Sequence, residues 1–239
     1  MTSRHWFYRF FSRRARQQVN RSKGPSRRVQ LTRRPILEPL ENRLAPAVLM
    51  VTTSGDDVTH NDGTVSLREA ILAINAGGSQ GDPDIIAQNP GTFGTNDTII
   101  FSPSLDLKTI TLTSGVLTLS RSMTINGLGA DQLTVSGNNA SGVFEIAAGQ
   151  VTVSGLKIIN GNAHQGAGID MTNPAADSVG TLIGLDIESN KATGQFGGGG
   201  VHIQYGTLNL INSTLANNYS ANYGAGIEAY DSRLGPAKK

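Results

Sequence analysis

The sequence predicts an all-β solenoid, a chain wound into successive coils of short strands with each coil stacked on the one before. Three observations predict it. The chain of 239 residues is light on side-chain bulk and rich in turn formers, with 29 glycines, 5% aromatics, 16% charged residues and no cysteine. From Thr98 onward, short apolar/polar alternations are separated by Gly and Asn, which leaves no room for crossover helices. The third is internal similarity at a period near 29 residues, described below. A hydrophobic content of 38% is enough for a core but thin for a helical bundle. Lack of cysteine excludes a disulfide scaffold and a thiolate metal site.

Charge divides the chain. Residues 1–34 carry eleven Arg or Lys and no acid, so residues 35–239 hold nine basic residues against all 18 acids and a net charge of about −9. A basic arm containing Trp6, Phe7, Tyr8, Phe10 and Phe11 fits a nucleic-acid binder, with guanidiniums on phosphates and rings on bases. The stronger reading is a disordered export leader over residues 1–47, because an unpaired positive stretch without a periodic apolar face cannot bury enough surface to fold. No nucleic-acid partner is expected. The segment from Arg33 to Ala47 contains Leu37-Glu38-Pro39, Arg43-Leu44 and the small-residue site Ala45-Pro46-Ala47. It resembles the LEPR-XLL segment at the front of surface and secreted proteins of planctomycete-type bacteria, with Leu40 where that motif has Arg. The resemblance implies export. No stretch approaches the roughly 18 consecutive apolar residues of a spanning helix.

Residues 48–97 are expected to form an N-terminal cap. Val48 to Thr53 reads as a strand, and Ser54 to Asp57 as a turn. The segment Ser66 to Asn75 breaks the β character. Ser66 and Glu69 form a capping box, Leu67, Ala70, Ile71 and Ile74 share one helical face, and Gly77 supplies a left-handed stop. Such a helix needs an apolar surface to cover. Asp56, Asp57, Asp62, Asp82 and Asp84 lie in Gly-containing loops and invite a calcium reading, but none matches a known calcium-loop spacing; aspartates bonding to their own turns are the better explanation.

Residues 98–231 are expected to form the coils. Strands are predicted at Thr98 to Phe101, Thr109 to Leu112, Val116 to Leu119, Met123 to Ile125, Leu133 to Val135, Val143 to Ile146 and Val151 to Ile159. Leu156 to Gly161 aligns with Leu185 to Asn190 and Ser213 to Asn218. Downstream of each lies a small-residue motif, Gly166-Ala167-Gly168-Ile169, Gly198-Gly199-Gly200-Val201 and Gly224-Ala225-Gly226-Ile227. These alignments give roughly five coils with variable loops. Asn160, Asn190, Asn218, Gly168, Gly200 and Gly226 are expected at the corners, where positive φ favours Gly and Asn. In register, the asparagines could also stack as an amide ladder.

Val65 to Ile71 is similar to the CSLREA motif that opens many bacterial right-handed parallel β-helix proteins, with Val65 in place of Cys. Ile110 to Gly115, Met123 to Ala130 and Leu133 to Asn138 follow in the order of that family. The later coils resemble repeats of polymorphic outer-membrane and adhesin-like proteins. The resemblance covers roughly residues 48–230 and implies a right-handed parallel β-helix with an N-terminal capping helix.

With Ile169, Val201 and Ile227 inward, Asp170, His202 and Glu228 are expected outward, as a column down one face. Such a column offers ligands for a divalent cation or acid/base groups to a glycan. Ordinary solvent-facing residues of mixed charge are the competing explanation. Lys157 and Lys191 are the only Lys or Arg between residues 125 and 232, too few for the basic partner that β-helix lyases employ. The expected function is therefore an exported or cell-surface structural or adhesive module without cofactor, partnered by extracellular polysaccharide or other surface proteins. A carbohydrate-active enzyme is the alternative. No C-terminal cap is legible, residues 232–239 read as a tail, and the open last coil is expected to pair with further sequence or another chain.

Overall fold

Strand formation begins immediately after the small-residue segment. The computed structural model describes residues 45–88, 90–172 and 178–230; the basic leader, the motif up to residue 44 and the tail lie outside the described residues. The cap consists of β1 (Val48–Val51), α1 (Leu67–Ala76) and α2 (Pro83–Ala87). The first coil contains β2 (Asp97–Phe101), β3 (Lys108–Thr111) and β4 (Leu117–Leu119), and the second β5 (Met123–Asn126), β6 (Leu133–Ser136) and β7 (Phe144–Ile146). The third adds a short strand, giving β8 (Gln150–Ser154), β9 (Lys157–Ile159), β10 (Asn162–Ala163) and β11 (Ile169–Met171). The fourth repeats it as β12 (Val179–Ile183), β13 (Asp186–Glu188), β14 (Lys191–Ala192) and β15 (Val201–Ile203). The fifth is β16 (Thr207–Ile211), β17 (Thr214–Ala216), β18 (Tyr219–Ser220) and β19 (Ile227–Ala229).

All strand pairings are parallel, and they assemble sheets in the orders β1-β2-β5-β8-β12-β16, β3-β6-β9-β13-β17, β4-β7-β11-β15-β19 and β10-β14-β18. This is a parallel β-solenoid of about five turns. The register equals the repeat alignment, with Ile158 opposite Ile187 and Leu215, and Ile169 opposite Val201 and Ile227.

Three apolar columns fill the interior. Ile99, Ile125, Val153 and Leu182 stack on one wall, Ile110, Val135, Ile158 and Ile187 on the second, and Leu117, Phe144, Ile169 and Val201 on the third; all are buried. Each buried aliphatic of this kind contributes about 1.5–3 kcal/mol from removal of apolar surface from water. At the fifth coil the cover ends: Leu210 is 36% and Ile227 42% exposed, although each continues a buried column. Among the described residues, no element covers this end.

The opposite end is closed. Ser66 Oγ accepts from Glu69 N at 3.1 Å while Glu69 Oε2 accepts from Ser66 N at 2.8 Å, the reciprocal capping box, and Gly77 ends α1 at φ 74°. Leu67, Ala70, Ile71 and Ile74 face the core. The outer edge of β1 is occupied: Gln88 accepts from Met50 N and donates to Met50 O, and Val48 N donates to Pro90 O. α2 was not anticipated, although Asp82-Pro83 is a helix-start signal, with Asp82 as N-cap and Pro83 in the first turn.

Two expectations need correction. Val151 to Ile159 is not one strand: Gly155, at φ 58°, turns the chain between β8 and β9, in register with Gly184 at φ 59° and Asn212 at φ 48°. The second concerns the corner residues. Of the six, only Asn160 is left-handed, with Ser189 and Asn217 at the equivalent positions of the next coils. Asn190 and Asn218 sit one residue later and act through their side chains. Gly168 and Gly200 are glycines because coils approach closely there: a Cβ on Gly168 would lie 2.5 Å from Gly200 O, and one on Gly200 2.6 Å from Gly226 O. At Gly226 the space is empty.

That difference gives a paired prediction. Gly200→Ala should destabilise the solenoid by about 1–3 kcal/mol through overpacking against backbone, whereas Gly226→Ala should stay within about 0.5 kcal/mol. Denaturant titration of both variants reads it, and equal losses would reject close approach as the reason for glycine at this column.

Candidate functional site

The sheet of β4, β7, β11, β15 and β19 carries the polar column, because alternation turns its apolar neighbours inward. In register stand Thr118, Glu145, Asp170, His202 and Glu228, one per coil. Glu145 and Thr118 extend the trio read from sequence. They escaped notice because their coils lack the Gly-rich motif that marked the register.

Neighbouring groups in the column engage one another. Glu145 Oε2 accepts from Thr118 Oγ1 at 2.8 Å. His202 Nδ1 lies 3.0 Å from both Asp170 Oδ1 and Thr172 Oγ1, while Thr172 Oγ1 donates to Asp170 Oδ1 at 2.7 Å and accepts from Gln165 Nε2 at 2.6 Å. With Asp170 an obligate acceptor, this network assigns the Nδ1 proton to His202. Glu228 engages backbone instead: its Oε2 accepts from Gly197 N.

His202 departs from the expected outward exposure. The residue is 1% exposed, and its Nε2 is buried without a hydrogen-bond partner. The Phe196 ring lies 6.4 Å from the imidazole and 6.1 Å from the Tyr230 ring. A loop between β14 and β15, which alternation alone cannot foresee, thus brings an aromatic side chain beside the column. Beside Glu145 and Asp170 runs an open groove of about 300 Å³, lined also by Val116, Ser141, Ala163 and Gln165.

The groove has no cationic partner in its lining. Lys157 stands on a different sheet and bridges Glu188 Oε1 at 2.5 Å and Asp186 Oδ2 at 3.4 Å. The Glu188 hydrogen bond foremost, aided by Asp186, holds its ammonium above the usual lysine value although desolvation opposes them. Lys191 lies over the Tyr219 ring at 5.6 Å. Among the described residues, no three or more His, Asp or Glu side chains are grouped to hold a metal ion.

The corner asparagines form a short amide ladder. Asn190 Nδ2 donates to Ile158 O, Glu188 O and Asn218 Oδ1, each at 3.0 Å, and Asn190 Oδ1 accepts from Gly161 N at 2.8 Å. Asn218 Nδ2 donates to Ile187 O at 2.8 Å. The ladder gives way to Gly161 in the preceding coil, where a Cβ would collide with Ala167 O. Asn160 is not a rung; its backbone makes the turn.

The aspartate loops resolve individually. Asp57 and Asp62 accept from backbone N–H groups two residues on, and Asp84 accepts from Gly63 N. Asp56 makes a contact that sequence reasoning missed. Its carboxylate accepts from Arg68 Nε at 2.7 Å and Nη2 at 3.1 Å, and from the N–H groups of Thr113 and Ser114 at 2.6 and 2.9 Å. Arg68 also donates to Gly115 O and Val116 O. One ion pair therefore ties the capping helix to the first coil.

Fold and site together define a parallel β-solenoid protein whose polar face is internally hydrogen-bonded. Compared with protein families, curated proteins and solved structures, the chain matches none.

Proposed function

We propose that this chain is an exported cell-surface β-helix module with a structural or adhesive role and no catalysis of its own. The observation that carries the reading is the state of the column: its one histidine is buried and bonded to Asp170 and Thr172, and Glu228 is committed to backbone. A histidine whose free ring nitrogen, Nε2, is buried presents no proton acceptor to a ligand at the surface, whereas a face that repeats polar side chains along its length suits an extended ligand. The similarity of residues 33–47 to an export-associated segment, and of the later Gly-rich coils to repeats of polymorphic outer-membrane and adhesin-like proteins, supports extracellular or outer-membrane placement. Among the described residues, no helix is long and apolar enough to cross a membrane. Extended polysaccharide or other surface proteins are the partners under this proposal.

The competing reading, a carbohydrate-active enzyme, draws on the groove beside Glu145 and Asp170. One experiment separates the two. Purified protein is expected to bind cells or immobilised polysaccharide without releasing reducing ends or unsaturated sugars, and Glu145→Gln with Asp170→Asn is expected to alter binding alone. Product release that disappears in Asp170→Asn would establish the enzyme instead. Unchanged glycan binding by His202→Ala, Glu145→Gln and Asp170→Asn would remove this face from consideration.

A further inference from the structure

The N-terminal cap holds a second cluster that the proposed surface role does not use. Glu69 and Asp82 are 4% and 1% exposed, and each has one carboxylate oxygen, Oε1 and Oδ2, without a hydrogen-bond partner. Their other oxygens are committed to helix starts: Glu69 Oε2 accepts from Ser66 N at 2.8 Å, and Asp82 Oδ1 accepts from Asp84 N at 2.9 Å. Both side chains line one cavity of about 30 Å³, with Val58, Leu72 and Ile85 as apolar walls and His60, Ser79 and Gln80 on its polar side. Neither carboxylate forms an ion pair among the described residues.

Such an arrangement is costly without an occupant. An unpaired buried carboxylate costs several kcal/mol, and a second beside the same space adds like-charge repulsion. Burial pushes the Glu69 carboxyl above the usual glutamate range; hydrogen bonds from Ser66 offset part of that, and the charges of Asp57 and Asp82 add to it. The space exceeds the roughly 10–15 Å³ that one small occupant needs.

We propose that this cavity binds one hard divalent cation, Ca2+ in preference to Mg2+, between Glu69 Oε1 and Asp82 Oδ2. Two carboxylates balance its charge, and neutral oxygens from the Ser79-Gln80 turn and water complete the coordination. Ca2+ accepts irregular sets of six to eight oxygens, whereas Mg2+ demands a near-ideal octahedron that two separate helix starts do not supply. The ion joins the first turn of α1 to the start of α2, so binding closes the cap that covers the first coil. His60 stands exposed at the rim.

The test uses the full chain, stripped with chelator and titrated at pH 7.5 with Ca2+ and, separately, Mg2+. Binding of one Ca2+ per chain with a saturable rise in Tm, weaker with Mg2+, is expected. Glu69→Gln and Asp82→Asn should each lose that response while folding normally, because Gln still accepts from Ser66 N and Asn is still a good N-cap. A wild-type protein indifferent to Ca2+, or variants that respond as it does, would overturn the proposal. So would occupancy by a proton. In that case stability is highest below the ordinary glutamate value, falls as pH rises through the raised Glu69 value, and loses this dependence in Glu69→Gln, with no response to either cation.

Discussion

Arg68→Ala is expected to lower stability by about 3–5 kcal/mol, because it strands a buried carboxylate. The Asp56 side chain is 1% exposed and would keep only the N–H groups of Thr113 and Ser114 and the Thr113 hydroxyl at 3.4 Å, while the carbonyls of Gly115 and Val116 would lose their donor. Arg68→Lys should rescue little, since an ammonium cannot serve a carboxylate and two carbonyls in the planar pattern that a guanidinium does. The double variant Arg68→Ala, Asp56→Ala should lose less than the sum of the single variants, as for groups that share one interaction. Urea unfolding read by circular dichroism measures wild type, Arg68→Ala, Arg68→Lys, Asp56→Ala and the double variant. A single variant within about 1 kcal/mol of wild type would show that the clamp is idle.

The same clamp sets an acid limit. Burial raises the Asp56 carboxyl, but the Arg68 hydrogen bonds, the Thr113 and Ser114 N–H groups and the guanidinium charge outweigh it, leaving the group below the ordinary aspartate value. A depressed carboxyl contributes stability that is full above its unfolded value and disappears as pH falls through the folded one. Acid unfolding should therefore begin at the cap, and Arg68→Ala should move its onset to higher pH.

Asn190→Asp should be the second severe change. The substitution is nearly isosteric, yet it replaces the amide that donates to Ile158 O, Glu188 O and Asn218 Oδ1 with a charged acceptor facing three acceptors. Asn190 is 1% exposed, so water cannot relieve the repulsion. A loss of about 3 kcal/mol or more is expected, recovered in part on acidification as the new carboxyl protonates. Asn190→Ala should fall near 1–3 kcal/mol for each buried group left unsatisfied. Asn218→Asp should be milder, because among the described residues no coil stacks on the fifth. Equal effects at Asn190 and Asn218 would refute the ladder as a coil-to-coil element.

The reach of sequence reasoning is clearest at the repeats. Ile158, Ile187 and Leu215 could be aligned by eye because parallel coils in register place like residues on like positions, and stacking at a fixed spacing leaves the chain one period to follow. The capping box was equally local, since Ser66 and Glu69 are one turn apart. Close approach was harder. Gly168 and Gly200 look like turn glycines in sequence, and only the nearness of the next coil's carbonyl shows why a methyl group is excluded there.

The column was half legible. Alternation placed Asp170, His202 and Glu228 in one register, but alternation describes backbone direction and says nothing of loops that fold over a face. Burial of His202 beside Phe196, the turning of Glu228 toward Gly197, and the ion pair between Asp56 and Arg68, 12 residues apart, depend on how loops of variable length return to the coils. So does the meeting of Glu69 and Asp82 at one cavity. Period, strand direction and capping follow from interactions a few residues long and can be read from the chain. Which polar groups are buried, and who satisfies them, follows from three-dimensional neighbours, and in this protein that is where both candidate sites reside.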